Sequence, residues 1–444
     1  MVIKENKIKI IDLFAGMGGM RLGFEKAFKE QGINVECVMT SEIKEHALKA
    51  LKHNFSHGSI VGDIKKVDAQ DIPDFDFLLG GFPCQAFSSA GNRDGFCDTR
   101  GTLFFEIERI LKVKKPKGFL LENVEGLVSH DDGKTLNTIL RSLKNLNYCV
   151  SWKVIDSKNF SLPQSRKRIY IVGTLKRNFD FSKIRHSIER NFSHIQETGL
   201  ELVNSDFTQK LLSHFNIQEL EGKAIKDKRG GPNNINSWDF ELKGKVSLEQ
   251  KDLLQQLLKK RRLKKWSEEI GIKWMDGIPL TINQIQTFYN HDNLEELLND
   301  LTDKGYLKFE HPKDKIEKEI NGNIITRREY AVDKPKGYNI VAGKLSFEFS
   351  KILNPNGLAP TIVAADVEKI GVIDGEGIRR LSLREGLRLF GYPESYSLDM
   401  FNKSTSSRRK AFDLLGNTVA VPVVYSISKV LLSLANVPEK EEYL

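Results

Sequence analysis

Short apolar runs alternate with amphipathic stretches from residue 7 to residue 173. Lys7 to Leu13 reads as a strand that ends at a glycine-rich turn, and Gly19 to Glu30 as the helix that follows. Val35 to Ser41 is a second strand and Lys44 to His53 a second helix. Asp76 to Leu79, Lys117 to Glu122 and Ile169 to Gly173 are further short apolar runs, and Thr102 to Lys112 is helical between the first two. This alternation predicts an α/β domain around a mostly parallel sheet. In such sheets ligands sit at the carboxyl ends of the strands, where the polar loops of this chain also fall.

The pattern breaks between about Phe179 and Gly375, where charge rises and periodicity becomes irregular. A basic run, Lys259, Lys260, Arg261, Arg262, Lys264 and Lys265, lies inside this stretch. It reads equally as a phosphate-binding patch or as a solvated helix face. Leu294 to Phe309 reads as a helix, a glycine turn and a strand. Ordered patterning returns at Ile378 and runs to a last helix near Tyr425 to Leu434. The expected organisation is a catalytic lobe at 1–178, a second domain at 179–411, and a segment at 412–444 that returns to the first lobe.

At 444 residues and 40% hydrophobic content, the chain can build such a two-lobed core. The formal net charge of +9 suits a partner with a phosphate backbone without identifying one. Four cysteines occur, Cys37, Cys84, Cys97 and Cys149, with neither a C-x-x-C pair nor zinc-like spacing, so no metal is expected. The amino terminus has no signal-peptide pattern, and no apolar stretch reads as long enough to span a bilayer, which predicts a soluble, cytoplasmic protein.

Three strand-end features suggest a cofactor. Gly16, Gly18 and Gly19 let the backbone after the first strand turn tightly and approach a ligand, and the next helix offers unpaired N–H groups to an anion. A plain strand-to-helix turn is also rich in glycine. Glu42 follows the second strand, where a carboxylate can accept from both hydroxyls of a ribose. Asp63 follows a third short strand and can accept from an adenine amine. Taken singly, either acid also reads as a solvated loop carboxylate. No P-loop lysine follows, which argues against a nucleoside triphosphate.

Cys84 follows Pro83 on a Gly/Ser-rich loop after the fourth strand. It reads either as an exposed nucleophile or as a small apolar residue tucked under a turn. Glu122 ends the next strand and can bring a carboxyl to that loop, while Arg166 and Arg168 precede another strand. For the arginines, surface charge is the plainer account.

These segments, IDLFAGMGG, PCQAFSSAG, ENV, QSRKRIYIVG, RRLSLREGLRLFGYP and GNTVAVPVV, occur in an order that resembles the C5-cytosine-specific DNA methyltransferase family of restriction–modification type. The resemblance covers residues 8–173 and 378–424. It implies a Rossmann-like sheet dependent on S-adenosyl-L-methionine, with an inserted target-recognition domain. By that resemblance Cys84 is the nucleophile, Glu122 acts at ring N3 with a raised pKa, and Arg168 and Arg166 lie on the substrate side. Phe14, Gly16, Gly18, Glu42 and Ile43, Asp63 and Ile64, Pro83, Leu103, Asn417 and Val419 match cofactor positions. Gln85 and Ser88 match a loop that closes over DNA, and Thr361 a residue touching the backbone beside a flipped base.

The implied partner is double-stranded DNA, with a cognate restriction endonuclease as a genetic partner only, and the implied state is a monomer. A tRNA cytosine methyltransferase of the same fold would share every catalytic motif, but the long insertion favours duplex DNA. A catalytically inactive DNA-binding regulator is the alternative from another class, and intact Cys84, Glu122, Arg166 and Arg168 argue against it.

Overall fold

The computed structural model describes residues 7–56, 58–83, 103–228, 230–273, 275–320, 323–342, 347–363 and 367–435. Cys84, Gln85 and Ser88 lie outside the described residues. The chain forms two compact units, one of residues 1–197, 355–368 and 381–444, the other of 198–354 and 369–380. The second unit is therefore smaller than the 179–411 expected from composition. Residues 179–197, 355–368 and 381–411 belong to the first unit instead.

The first unit opens with β1 (Lys7–Leu13), α1 (Gly19–Lys29), β2 (Asn34–Ser41), α2 (Glu45–Asn54), β3 (Ser59–Val61) and β4 (Phe77–Gly81). It continues with α3 (Leu103–Lys114), β5 (Gly118–Val124), α4 (Lys134–Asn145), β6 (Cys149–Asp156) and β7 (Lys167–Thr174). The seven strands form one sheet in the order β3-β2-β1-β4-β5-β7-β6. The first five are mutually parallel, and β7 runs antiparallel to both β5 and β6. Sequence order reverses between β1 and β4, so the crevice at their carboxyl ends is a topological switch point.

The inner strands are apolar because both of their faces are covered. One face packs with Phe24 and Phe28 of α1, the other with Ile107 and Leu111 of α3 and Leu136, Ile139 and Leu143 of α4. The α4 spacing of three and four residues is that of a one-sided amphipathic helix.

The second unit carries α5 (Asp206–His214), α6 (Ile217–Leu220), β8 (Ala224–Ile225), β9 (Asn234–Ile235), α7 (Leu248–Lys260), α8 (Lys265–Ile270), α9 (Ile282–Gln286) and α10 (Leu294–Asp303). Then come β10 (Leu307–Glu310), β11 (Lys313–Ile320), β12 (Asn323–Tyr330), β13 (Gly337–Ile340), β14 (Lys351–Ile352), β15 (Ile370–Asp374) and β16 (Gly377–Arg380). The helix, glycine turn and strand read between Leu294 and Phe309 are α10, Gly305 and β10. Trp238, Leu254, Leu257, Trp266 and Leu298 build one core, and Phe207, Phe240 and Phe349 another.

The chain returns to the first unit through α11 (Leu383–Leu389), α12 (Thr405–Asn417) and α13 (Val421–Ala435). The last helix begins four residues earlier than its periodicity suggests, at Val421. It packs against α1 so closely that a Cβ on Gly23 would fall 2.7 Å from Val424 Cβ, so only glycine fits there. Residues 405–434 are long and apolar enough to cross a membrane by length and composition, contrary to the reading from sequence. Two-thirds of the apolar window is buried in the protein, so its hydrophobicity is explained by the core it fills.

Candidate active site

Because β7 runs antiparallel to β5, its amino end meets the same sheet edge as the carboxyl ends of β1, β2, β4 and β5. A cavity of about 450 Å³ opens at this edge, within the range of small-molecule sites, about 300–1,000 Å³. Phe14, Gly16, Glu42, Ile43, Asp63, Ile64, Pro83, Leu103 and Asn417 line it, together with Glu122, Arg166 and Arg168. Residues far apart in sequence thus meet because most of them lie at strand ends along one edge, joined by Leu103 at the start of α3 and Asn417 at the end of α12.

Two predicted cofactor residues do not line this cavity. Gly18 is the N-cap of α1, and its N–H is taken by the Ala15 carbonyl at 2.8 Å. Val419 is buried in the core between the sheet and α13, where its apolar side chain is removed from water. Thr361 also lies elsewhere. It belongs to the first unit rather than to the inserted one, is exposed, and donates its hydroxyl to the Ser165 carbonyl at 2.7 Å.

Glu42 is buried, and its carboxylate already accepts three backbone N–H groups. Gly16 donates to Oε2 at 2.7 Å, while Ile43 and Lys44 each donate to Oε1 at 2.8 Å. One side chain therefore pins the glycine loop after β1 to the segment that enters α2. Asp63 is half-buried and accepts from Lys65 N at 3.1 Å, capping a short turn. These acceptors beside Phe14, Ile64 and Leu103 suit a ligand with hydroxyl and amine donors on a flat apolar body, as an adenosyl group has.

Glu122 and Arg168 form the charged wall. Glu122 is opposite Tyr170 in the β5–β7 register, and Arg168 lies two residues along β7, on the same face. Arg168 Nε lies 3.2 Å from Glu122 Oε1. Burial pushes the Glu122 carboxyl above its ordinary range, and the opposing pull of Arg168 and Arg166 does not cancel it.

Arg166 is buried and faces inward. It donates to the carbonyls of Ile362, Gly416 and Thr418 at 3.1, 3.2 and 2.9 Å. Burial and then Arg168 push its pKa down, to about 9, which leaves it charged at neutral pH.

Other contributors were not singled out from sequence. Asn123 Nδ2 donates to the Phe82 carbonyl at 3.2 Å, fixing the backbone just after β4. Its place in the ENV motif was visible, but its role depends on the β4–β5 pairing. Asp413 accepts from Lys44 and His46, each at 2.8 Å, and from Asn417 at 3.0 Å, joining the two sides of the cavity mouth. Asp12, near the end of β1, is fully buried with no hydrogen-bond partner on either carboxylate oxygen among the described residues. Burial pushes its pKa up to about 7 against the pull of Arg21.

The sequence profile of the C-5 cytosine-specific DNA methylase family matches residues 8–433. The chain belongs to this family. The Type II methyltransferase M.NlaIV of Neisseria lactamica is 55% identical over 433 residues, covering 96% of this chain and 99% of that one. The Type II methyltransferase M.BanI of Aneurinibacillus aneurinilyticus is 39% identical over 444 residues, with 95% of each covered. Among solved structures, an Entamoeba histolytica methyltransferase shares the fold with a TM-score of 0.53 at 14% identity, over 97% of this chain and all of that one. A Schizosaccharomyces pombe Dnmt2 methyltransferase does so with a TM-score of 0.51 at 17% identity, at the same coverage. The protein is thus a DNA (cytosine-5-)-methyltransferase, its cofactor is S-adenosyl-L-methionine and its substrate is DNA.

Proposed function

We propose that the methyltransferase methylates a flipped-out cytosine in a specific duplex sequence through a covalent Cys84 adduct, with the sheet-edge cavity as its cofactor and base pocket. The observation that carries this reading is a buried Glu122 with a raised pKa, paired with Arg168 on the cavity wall.

Carbon 5 of cytosine is too weak a nucleophile to take a methyl group directly. Addition of the Cys84 thiolate at carbon 6, with protonation of N3 by Glu122, makes carbon 5 enamine-like. Bound S-adenosyl-L-methionine would supply an electrophilic methyl carbon to this position, its sulfur–methyl bond breaking to leave S-adenosylhomocysteine. A base then removes the carbon 5 proton, the carbon–sulfur bond breaks, and the N3 proton returns to Glu122. Arg168 pairs with the ring oxygen O2 in this reading, and its contact with Glu122 at 3.2 Å supports that role. Arg166 acts indirectly, by holding the backbone of Gly416 and Thr418 on either side of Asn417. Glu42 and Asp63 serve the ribose and adenine of the cofactor. A base stacked inside a duplex cannot enter such a pocket, so the target must be extruded.

The second unit is the target-recognition domain in this reading, and Thr361, Gln85 and Ser88 contact DNA. The likeness to type II methyltransferases along almost the whole chain supports the modification half of a restriction–modification pair. A monomer in the cytoplasm, associated with the nucleoid, fits that role. The test is to incubate the purified protein with S-adenosyl-L-methionine and either duplex DNA or tRNA, followed by sequencing for 5-methylcytosine. Methylation of one cytosine in a short repeated duplex sequence is expected. Methylation of tRNA alone would overturn the reading.

A further inference from the structure

We propose that a basic cavity inside the second unit seats a backbone phosphodiester of duplex DNA, an inference that rests on the DNA-recognition role given to that unit. The cavity has a volume of about 310 Å³ and lies between the end of α7, the 275–279 loop and strands β10 to β13. Six cationic side chains line it, Lys228, Arg261, Arg262, Lys308, Lys313 and Arg328, against two carboxylates, Asp276 and Glu310.

Those two carboxylates are already engaged. Asp276 lies 3.2 Å from Arg262 Nε, and Glu310 lies 2.7 Å from Lys308 Nζ. The positive excess is therefore carried by the other four, three of them exposed: Lys228, Lys313 and Arg328. Two other cavities of this unit differ. One has Glu219 and Asp239 against Lys223 and Lys251, the other Glu295 against Lys336. Charge balances in both, so the excess sets this cavity apart from those two.

A second observation points to an anion. Arg261 is only 4% exposed, and its buried Nε has no hydrogen-bond partner among the described residues. Its Nη1 donates to Asn339 Oδ1, and Gly277 leaves room for it, since a Cβ there would fall 3.0 Å from Arg261 Nη1. Burial, and after it the neighbouring Arg262, push the Arg261 pKa down, to about 10. A cation held out of water beside a second cation gains from an entering anion. A phosphodiester offers one charge, oxygen acceptors only, and no hydrogen that needs an acceptor in return.

The structure also revises the basic run of residues 259–265. Only part of it is a solvated face: Lys259, Lys260, Lys264 and Lys265 are exposed, whereas Arg261 points inward and Arg262 pairs with Asp276. The phosphate-binding set draws instead on Lys228, Lys313 and Arg328, which the run does not contain.

The test uses the full-length protein and two double variants. Lys228→Gln with Arg328→Gln removes two rim charges, and Lys251→Gln with Lys336→Gln removes two charges from the balanced cavities. Duplex affinity is measured across salt concentrations, with a duplex that the wild type methylates and with a random one. The rim variant should lose at least tenfold in affinity for both duplexes at low salt. Its plot of log affinity against log salt should flatten by about 0.9 per lost phosphate contact. The ratio of the two affinities and the affinity for S-adenosyl-L-methionine should be unchanged. An unchanged slope in the rim variant, or an equal loss in the control variant, refutes the cavity while wild-type methylation of DNA stands. A wild type that binds no duplex at all refutes the functional reading as well.

Discussion

Glu122 Oε1 and Arg168 Nε lie 3.2 Å apart on neighbouring strands, yet the carboxyl still has a raised pKa. The cost of burial outweighs the attraction of one close guanidinium and a second nearby. The pairing has two consequences. It fixes the direction of the carboxyl at the cavity wall, and it leaves the protonated form accessible where an exposed glutamate would be fully ionised.

Glu122→Gln should therefore leave binding of S-adenosyl-L-methionine intact and lower kcat by about 10²–10⁴-fold, the usual worth of a positioned general acid. The wild-type rate should fall as pH rises through the raised pKa of Glu122, because the acid form is then lost. The Gln variant should show no such limb. Single-turnover methylation of duplex DNA across pH, with cofactor affinity measured separately, reads both effects.

Asp63→Ala and Glu42→Ala should separate two kinds of loss. Asp63 is expected to lose a ligand contact, which costs about 1–3 kcal/mol of cofactor binding when a buried partner is left unpaired. Glu42→Ala should weaken binding too, and it should also lower Tm, since the N–H groups of Gly16, Ile43 and Lys44 lose their acceptor. Calorimetric titration and thermal unfolding of both variants check this. Equal melting temperatures would show that Glu42 does not hold the loop.

The sheet edge was legible in the sequence because its signals are local. Glycines after an apolar run mark a strand end, and acids after the next two runs mark the same edge. The folded pattern then placed Phe14, Glu42, Asp63, Glu122 and Arg168 on one cavity. What the sequence did not disclose depends on distant pairing. The inward turn of Arg166 needs the carbonyls of Ile362, Gly416 and Thr418, some 200 residues or more away. Val419 was expected in the cofactor pocket by resemblance, and the packing of α13 on α1 puts it in the core instead. The boundaries of the second unit were blurred for the same reason at residues 355–368, which lie inside the irregular stretch although they return to the first unit, whereas the return of ordered patterning at Ile378 did mark the segment from 381 onward.

Asp12 gives a pH prediction of the opposite kind, one about stability. Its folded pKa of about 7 lies above the ordinary 3.8, so the folded state prefers the protonated carboxyl. The stability contributed by that preference is fully present below about pH 4 and is lost as pH rises through about 7. Its size is on the order of 4 kcal/mol at most. Asp12→Asn removes the titration and keeps the shape. The variant should gain stability relative to wild type as pH rises from 5 to 8, measured as the difference in unfolding free energy. A difference that does not change with pH would show that the carboxyl is ionised, and satisfied, throughout.

The covalent step yields the sharpest prediction, because it follows from the order in which bonds change. Cys84 adds at carbon 6, carbon 5 takes the methyl group, and the proton on carbon 5 must leave before the carbon–sulfur bond can break. Fluorine in place of that hydrogen blocks the last elimination, since fluorine cannot depart as a cation. Wild-type protein should therefore be trapped on duplex DNA carrying 5-fluorocytosine at the target position, as a complex that survives denaturation. Trapping should require S-adenosyl-L-methionine, because before methyl transfer the adduct can still reverse. Cys84→Ala should bind the same duplex without being trapped, having no thiolate to attack. Glu122→Gln should be trapped much more slowly, because it cannot supply the N3 proton that stabilises the adduct. Arg166→Ala should be trapped slowly as well, but for a different reason, visible as a lower Tm: the carbonyls of Ile362, Gly416 and Thr418 lose a charged donor. A denaturing gel of protein with labelled duplex, with and without cofactor, reads all four proteins side by side. A cofactor-dependent band from Cys84→Ala would assign the nucleophile to another residue.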